Sequence, residues 1–233
     1  MENKKKIVVL TGAGVSAESG IKTFRDSGGT WEQYKLEDVA TPQGWFLDPK
    51  KVLEFYDKRR EDCVKAKPNQ AHFNLKKLEE KYDVWIISQN IDDLHEKAGS
   101  TNVIHLHGEI MKARSVNDDS NEKLYDVGPE GIQVGQLCPA GYQLRPHVVW
   151  FGEMVPNLAK AQKIVSEADI CVVIGTSFTV YPAASLFTHS NSTVPVYIID
   201  PKKATINDYE NRIIFIEKKA VAGTKQLLKI LMK

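Results

Sequence analysis

The side chains that can do chemistry in this chain gather in short runs, each at the end of an apolar stretch. Gly12-Ala13-Gly14 follows the run Ile7 to Leu10 and leads into Val15-Ser16-Ala17-Glu18-Ser19. Glycines there let the backbone approach an anion, and a helix start offers N–H groups and a positive dipole end. Gly12, Ala13, Gly14 and Ser16 are therefore a candidate phosphate cradle, although an ordinary turn has the same composition. Gln89-Asn90-Ile91-Asp92 follows a second run, Val84 to Ser88. The carboxamides of Gln89 and Asn90 can hydrogen-bond a ribose or another carboxamide, and Asp92 can orient a hydroxyl or an amide; the same residues can also cap a helix. His107-Gly108 closes a third run, and an imidazole titrating near neutrality suits His107 to take a proton from a ribose hydroxyl. His105 faces the same way on a strand, so a metal pair is the competing reading, but no third ligand follows at suitable spacing. Tyr56 and Arg59 are three apart, which on a helix places a guanidinium beside a phenol, a receptor for a carboxylate or simply a surface arginine near a half-buried ring.

These runs need a sheet to bring them together. The pattern predicts strands at Ile7–Leu10, Val84–Ser88, Ile170–Ile174, Val194–Ile199 and Ile213–Ile216, and a strand with its exit loop over Val103–Gly108, alternating with helical segments. Parallel sheets place ligand-binding residues at the carboxyl ends of their strands. Gly175-Thr176-Ser177 is then a second phosphate-contacting turn, and Asp200 either holds a ribose or caps the turn that follows it. A redox dinucleotide fold would show Gly-x-Gly-x-x-Gly and an acidic residue about 20 positions on. Here the third glycine is Gly20, and a loop with Phe24-Arg25-Asp26 and Gly28-Gly29 comes next, which suggests a nucleotide held for chemistry other than hydride transfer. Thr41-Pro42 and Asp48-Pro49 each start a helix, an amphipathic helix is expected over Asn69–Lys81 with a structural His72, and Ala159–Ala168 is helical.

The chain has 233 residues, with Lys+Arg 31 against Asp+Glu 30, so no global charge favours nucleic acid. No apolar stretch reaches the roughly 18 residues of a membrane span, and the charged N-terminus lacks a signal-peptide core, so a cytoplasmic protein is expected. Three separated cysteines, Cys63, Cys138 and Cys171, fit a reducing compartment better than a disulfide framework. The fold class expected is α/β, a Rossmann-like doubly wound parallel sheet of about six strands. Its parts are residues 1–35, 68–110 and 148–233, interrupted by a helical module at 36–67 and a small lobe at 111–147.

The segments GAGVSAESGI and TFRDSGGTW, together with Gln89-Asn90-Ile91-Asp92, His107-Gly108 and Leu144 to Glu153, resemble the sirtuin family of NAD-dependent protein-lysine deacylases. The resemblance covers essentially the whole chain. It implies NAD contacts from Phe24, Arg25, Gln89, Asn90, Asp92, His107, Gly175, Thr176, Ser177, Asp200 and Ala220, with His107, Asn90 and Asp92 catalytic. It implies that Val149, Trp150, Phe151, Gly152 and Glu153 bind an acyl-lysine protein or peptide along an extended edge and an aromatic tunnel. Ala40, Tyr56 and Arg59 match the members that prefer negatively charged acyl groups, implying succinyl or malonyl as well as or better than acetyl. Arg60 is one position from Arg59 and can also reach, depending on helix register. Asp93 departs from the usual glycine and adds a charge beside the nicotinamide region. The lobe lacks the family's zinc cysteines, with Ser115 and Asp118 near one pair and Cys138 alone at the other, so no metal is expected. The products implied are free lysine, nicotinamide and O-acyl-ADP-ribose. An NAD sensor with little catalysis, or an ADP-ribosyltransferase or NAD glycohydrolase, would share the cradle. Target proteins and oligomeric state are not encoded in these motifs.

Overall fold

A computed structural model describes residues 4–22, 34–118, 123–176, 183–203 and 212–233. Six parallel strands form the main sheet: β1 (Lys6–Thr11), β2 (Asp83–Ser88), β3 (Val103–His105), β7 (Ile170–Ile174), β8 (Val196–Ile199) and β9 (Ile213–Ile216). Their order is β3-β2-β1-β7-β8-β9, so the chain winds outward from β1 in one direction and from β7 in the other. That reversal opens a crevice beyond the carboxyl ends of β1 and β7, where doubly wound sheets bind ligands.

Alternation along the strands builds a core on each side. Val8 and Leu10 of β1 with Cys171 and Val173 of β7 face α7 (Leu158–Ser166), whereas Ile7 and Val9 with Val172 and Ile174 face α5 (Gln70–Leu78) and α8 (Ala220–Leu231). Both faces are apolar because both are covered by helices, and each large aliphatic side chain so buried contributes about 1.5–3 kcal/mol. The predicted strands and the six-stranded sheet are observed with shifts at their ends. Helix α5 stops at Leu78, short of Lys81, where the chain tightens into turns.

The third strand is short, and its exit loop leads directly into a second sheet. Strand β3 ends at His105, and β4 (Gly108–Ser115) begins a separate antiparallel sheet with β5 (Leu124–Asp126) and β6 (Leu144–Val148). Gly108 has φ 84°, and a Cβ there would lie 2.0 Å from the His147 carbonyl oxygen, so the exit from one sheet into the other needs a glycine. The small lobe expected at 111–147 coincides with a sheet whose strands run from Gly108 to Val148.

The helical module consists of α2 (Leu36–Val39), α3 (Pro42–Leu47) and α4 (Pro49–Lys65). Thr41 and Asp48 accept from the main-chain N–H of Gly44 and Lys51, and each precedes proline at the first helical position, as their sequence signatures predicted. Helix α4 buries Val52, Phe55, Tyr56 and Cys63 against Ile110, Val148 and Trp150. This cluster joins the module to the antiparallel sheet.

Candidate active site

Three strand ends meet at the crevice through their backbones. Gly12 N donates to the Ile174 carbonyl and Gly14 N to the Gly175 carbonyl, each at 2.9 Å. A Cβ on Gly14 would lie 2.6 Å from Gly175 Cα, so the two glycine turns fit against each other only without side chains. The Gly12 and Gly14 amides are used in joining β1 to β7, and these glycines shape the crevice through close approach rather than by offering those two N–H groups. The helix that follows, α1 (Ala13–Ser16), is a single turn starting at exposed Ala13.

The Gln89–Asp92 loop after β2 is tied to that turn. Asn90 Nδ2 donates to the Gly12 carbonyl at 3.2 Å and to Ser16 Oγ at 3.1 Å, and Ser16 Oγ donates to Asp92 Oδ2 at 2.9 Å. Gln89 Nε2 reaches Thr176 Oγ1 at 3.3 Å, linking the loop to the turn after β7. Asp92 is buried, and burial raises its carboxyl pKa against the Ser16 and Leu94 hydrogen bonds that lower it. Its second oxygen accepts from Leu94 N at 3.2 Å at the start of α6 (Leu94–Lys97), whose N-cap is Asp93, so both oxygens of Asp92 are held. Asp93 adds less charge than its type suggests, because Lys97 Nζ lies 2.8 Å from its Oδ1.

His107 follows β3 on the same edge. Its Nδ1 lies 2.9 Å from the Gln89 carbonyl oxygen, which can only accept, so Nδ1 carries the proton and Nε2 keeps a lone pair. Burial lowers its pKa, with the Gln89 carbonyl acting against the shift, so the ring is neutral at pH 7. A half-buried imidazole in that tautomer is equipped to accept a proton.

The segment after β6 connects this histidine to the helical module. Val149 N donates to the His107 carbonyl and Phe151 N to the Ala40 carbonyl, both at 2.9 Å. Trp150 N donates to Glu153 Oε2 at 2.8 Å, and Glu153 N returns to the Trp150 carbonyl at 3.0 Å. The expected extended edge is therefore a turn at Trp150–Glu153, and its first three amides are already bonded within the chain. Glu153 also faces inward. Its carboxylate takes Arg145 Nη1 at 2.7 Å and Arg114 Nη2 at 3.2 Å, while Arg145 stacks on Trp150 with Cζ 3.2 Å from the ring centre. Trp150 is buried beside Trp45, whereas Phe151 is exposed and Gly152 stands at the turn. Of the expected substrate residues, Val149, Phe151 and Gly152 present surface, and Trp150 and Glu153 support them from below.

Ala40 and Tyr56 are buried in one cluster with Val148 and Trp150. Burial raises the Tyr56 hydroxyl pKa, keeping it a neutral donor. The helix register separates the two arginines. Arg60 is fully buried, giving Nε to the Ile110 carbonyl at 3.0 Å and Nη1 to Asp57, so Arg59 is the half-buried guanidinium one turn beyond Tyr56.

The remaining candidates are placed less centrally. Asp200 Oδ1 accepts from Lys202 N at 2.9 Å, which is the turn-capping alternative. Ala220 is buried at the first position of α8, and Glu18 accepts from Val221 N at 2.9 Å, a contact between distant segments that no local pattern announces. Phe24, Arg25 and Ser177 lie outside the described residues. Cys138 is buried in an apolar cluster with Leu53, Ala113, Val127, Ile132 and Leu144. Among the described residues no three metal-ligating side chains converge. The neighbouring loop is held by Gln143, which donates to the carbonyls of Gln133, Gln136 and Leu144 and accepts from Gly135 N.

Comparison with known proteins agrees with this arrangement. The Sir2 family pattern matches residues 12–182. An NAD-dependent protein deacylase of Bacteroides thetaiotaomicron is 46% identical over 232 residues, covering 98% of each chain. Among solved structures, a Sir2 homologue in complex with NAD is 38% identical with TM-score 0.84, covering 98% of this chain and 90% of its own. A Sir2 protein with a deacetylated p53 peptide and 3'-O-acetyl ADP ribose is 30% identical with TM-score 0.80, covering 97% of this chain and 94% of its own. With the crevice at the sheet's reversal point, the neutral imidazole on its rim and these matches across the chain, the protein belongs to the Sir2 family.

Proposed function

We propose that this Sir2-family enzyme removes acyl groups from lysine side chains of proteins using NAD, and that it accepts succinyl or malonyl groups as well as or better than acetyl. When bound, NAD supplies an ADP-ribosyl acceptor for the acyl group as nicotinamide leaves. The observation that carries the reading is the tautomer of His107: Nδ1 is fixed on the Gln89 carbonyl and Nε2 is left as a base at the edge of the crevice. Asn90 and Asp92 are locked to Ser16 and Gly12, which supports their role as preorganised polar groups beside the ribose. Gly12, Ala13, Gly14, Gly175 and Thr176 shape the pyrophosphate end, with Asp200 and Ala220 toward the adenosine. Residues 36–67 and 111–147 are the substrate-facing parts mounted on the dinucleotide-binding sheet.

Acyl preference rests on Tyr56 and Arg59. A carboxylate taken out of water needs a charged partner, and a charge-assisted hydrogen bond is worth about 1.5–3 kcal/mol. Three free, buried thiols fit a cytoplasmic enzyme. The test is mass spectrometry of reactions of NAD with acetyl-, succinyl- and malonyl-lysine peptides, with His107→Tyr as control. The reading expects nicotinamide, O-acyl-ADP-ribose and free lysine from the wild type alone. NAD consumption without an acylated peptide would instead indicate a glycohydrolase or ADP-ribosyltransferase.

A further inference from the structure

Two histidines grip neighbouring carbonyls of the Gln89–Asp92 loop, and they differ in what meets the second ring nitrogen. His107 holds the Gln89 carbonyl through Nδ1. His105 places Nδ1 3.1 Å from the Asn90 carbonyl oxygen, and its Nε2 lies 2.8 Å from Glu96 Oε1. A peptide carbonyl has no proton to give, and neither has an ionised carboxylate. A neutral imidazole owns one N–H and would turn a lone pair toward one of these oxygens, so a ring that satisfies both must carry both protons. Glu96 is ionised in this pair: burial tends to raise its pKa, and the His105 hydrogen bond and charge lower it further than burial raises it.

We propose that His105 is a positioning residue for the deacylation reaction, a buried imidazolium that ties the Asn90 main chain to Glu96 and so sets the loop carrying Asn90 and Asp92 beside His107. It rests on the deacylase reading and extends it to a residue outside the crevice. The charged groups around the ring are consistent with this state. Glu96 comes from α6, Glu109 from β4 and Asp92 from the loop, all acidic, against the histidines His95 and His147, whose own pKa values are lowered chiefly by burial. Burial works against the charge on His105, and Glu96 outweighs it, raising the pKa to about 8. Loss of that proton breaks one of the two hydrogen bonds and releases the loop. The geometry therefore gives turnover an alkaline limb that belongs to His105 and an acidic limb that belongs to His107.

The test is a pH titration of the 15N-histidine-labelled full-length protein by NMR, paired with kcat and KM profiles for acyl-peptide turnover by wild type, Glu96→Gln and His105→Gln. His105 is expected to hold two ring protons at pH 7 and release one near pH 8. Glu96→Gln is expected to move that titration and the alkaline limb of kcat to lower pH while the acidic limb stays in place. His105→Gln carries no positive charge and has a single nitrogen in place of the two ring nitrogens that meet the Asn90 carbonyl and Glu96, and is expected to lower kcat about 10- to 100-fold with a smaller change in KM. A ring with a single proton at pH 7 overturns the inference whatever the activity. An alkaline limb unmoved by Glu96→Gln, in a protein whose His105 titration does move, overturns the positioning role. Absence of turnover by the wild type would instead remove the deacylase reading, which the NMR titration does not depend on.

Discussion

Single imidazoles in this protein have opposite protonation states within a few residues of one another, and pH separates them. His105, raised from 6.5 to about 8, contributes stability that is complete below pH 6.5 and is lost as pH rises through 8, about 2 kcal/mol in all. Burial lowers His72 and His147 to about 4, His147 also through Arg114 and Arg145. Their contribution is present above pH 6.5 and lost as pH falls toward 4, up to about 3 kcal/mol each. Urea midpoints measured from pH 4 to 9 should peak between pH 6.5 and 8, and a midpoint still rising at pH 9 would contradict this balance. For the substrate, Arg59→Met should cut desuccinylation about 10- to 100-fold and leave deacetylation within a factor of a few, as the loss of one charge-assisted bond requires. Equal losses for both acyl groups would mean that Arg59 supports the fold instead. His107 was a candidate from its place after an apolar run, and Arg59 became one only when the Tyr-x-x-Arg spacing was read with the family resemblance. The His105–Glu96 pair could not be found from sequence, since nothing in a nine-residue separation shows that a strand end and a short helix will meet.

Elements carried a strong signal wherever a period or a cap was written locally. Thr41-Pro42 and Asp48-Pro49 place two helix starts correctly, and Asp48→Ala should cost about 1 kcal/mol by removing the acceptor for Lys51 N, readable as a lowered Tm. Alternation in β1 and β7 was hidden, because strands covered on both faces are uniformly apolar, yet it sorts their side chains between the two cores. The glycine turns were recognised from composition, but their partner was not. Gly12 and Gly14 serve the approach of β1 to β7, a tertiary fact that a reading of one strand at a time does not contain. Gly14→Ala should accordingly abolish measurable NAD binding by calorimetry, because its Cβ would meet Gly175 Cα at 2.6 Å and force the two turns apart. Unchanged affinity would show that the crevice tolerates their separation. The segment after β6 was read as an extended edge, and Glu153 makes it a turn by bridging Arg114, Arg145 and the Trp150 amide.

At the scale of the whole molecule, a doubly wound sheet supplies the crevice, and a helical module and an antiparallel sheet cover its rim. The alternation of strand and helix made the sheet legible, and strand order followed only from the fold. The small lobe was least legible, since its sheet begins at Gly108 and its loop is held by Gln143 and an apolar cluster around Cys138. The central claim is that the crevice joins NAD to an acylated lysine, with His107 as base. The most direct measurement is the fate of an 18O-labelled succinyl-lysine peptide incubated with NAD, followed by mass spectrometry. The account predicts label in O-succinyl-ADP-ribose, with stoichiometric nicotinamide and free lysine, and at least a 100-fold loss in His107→Tyr, on the order of general-base catalysis. Nicotinamide released at the same rate without peptide, or peptide deacylated without NAD, would contradict it.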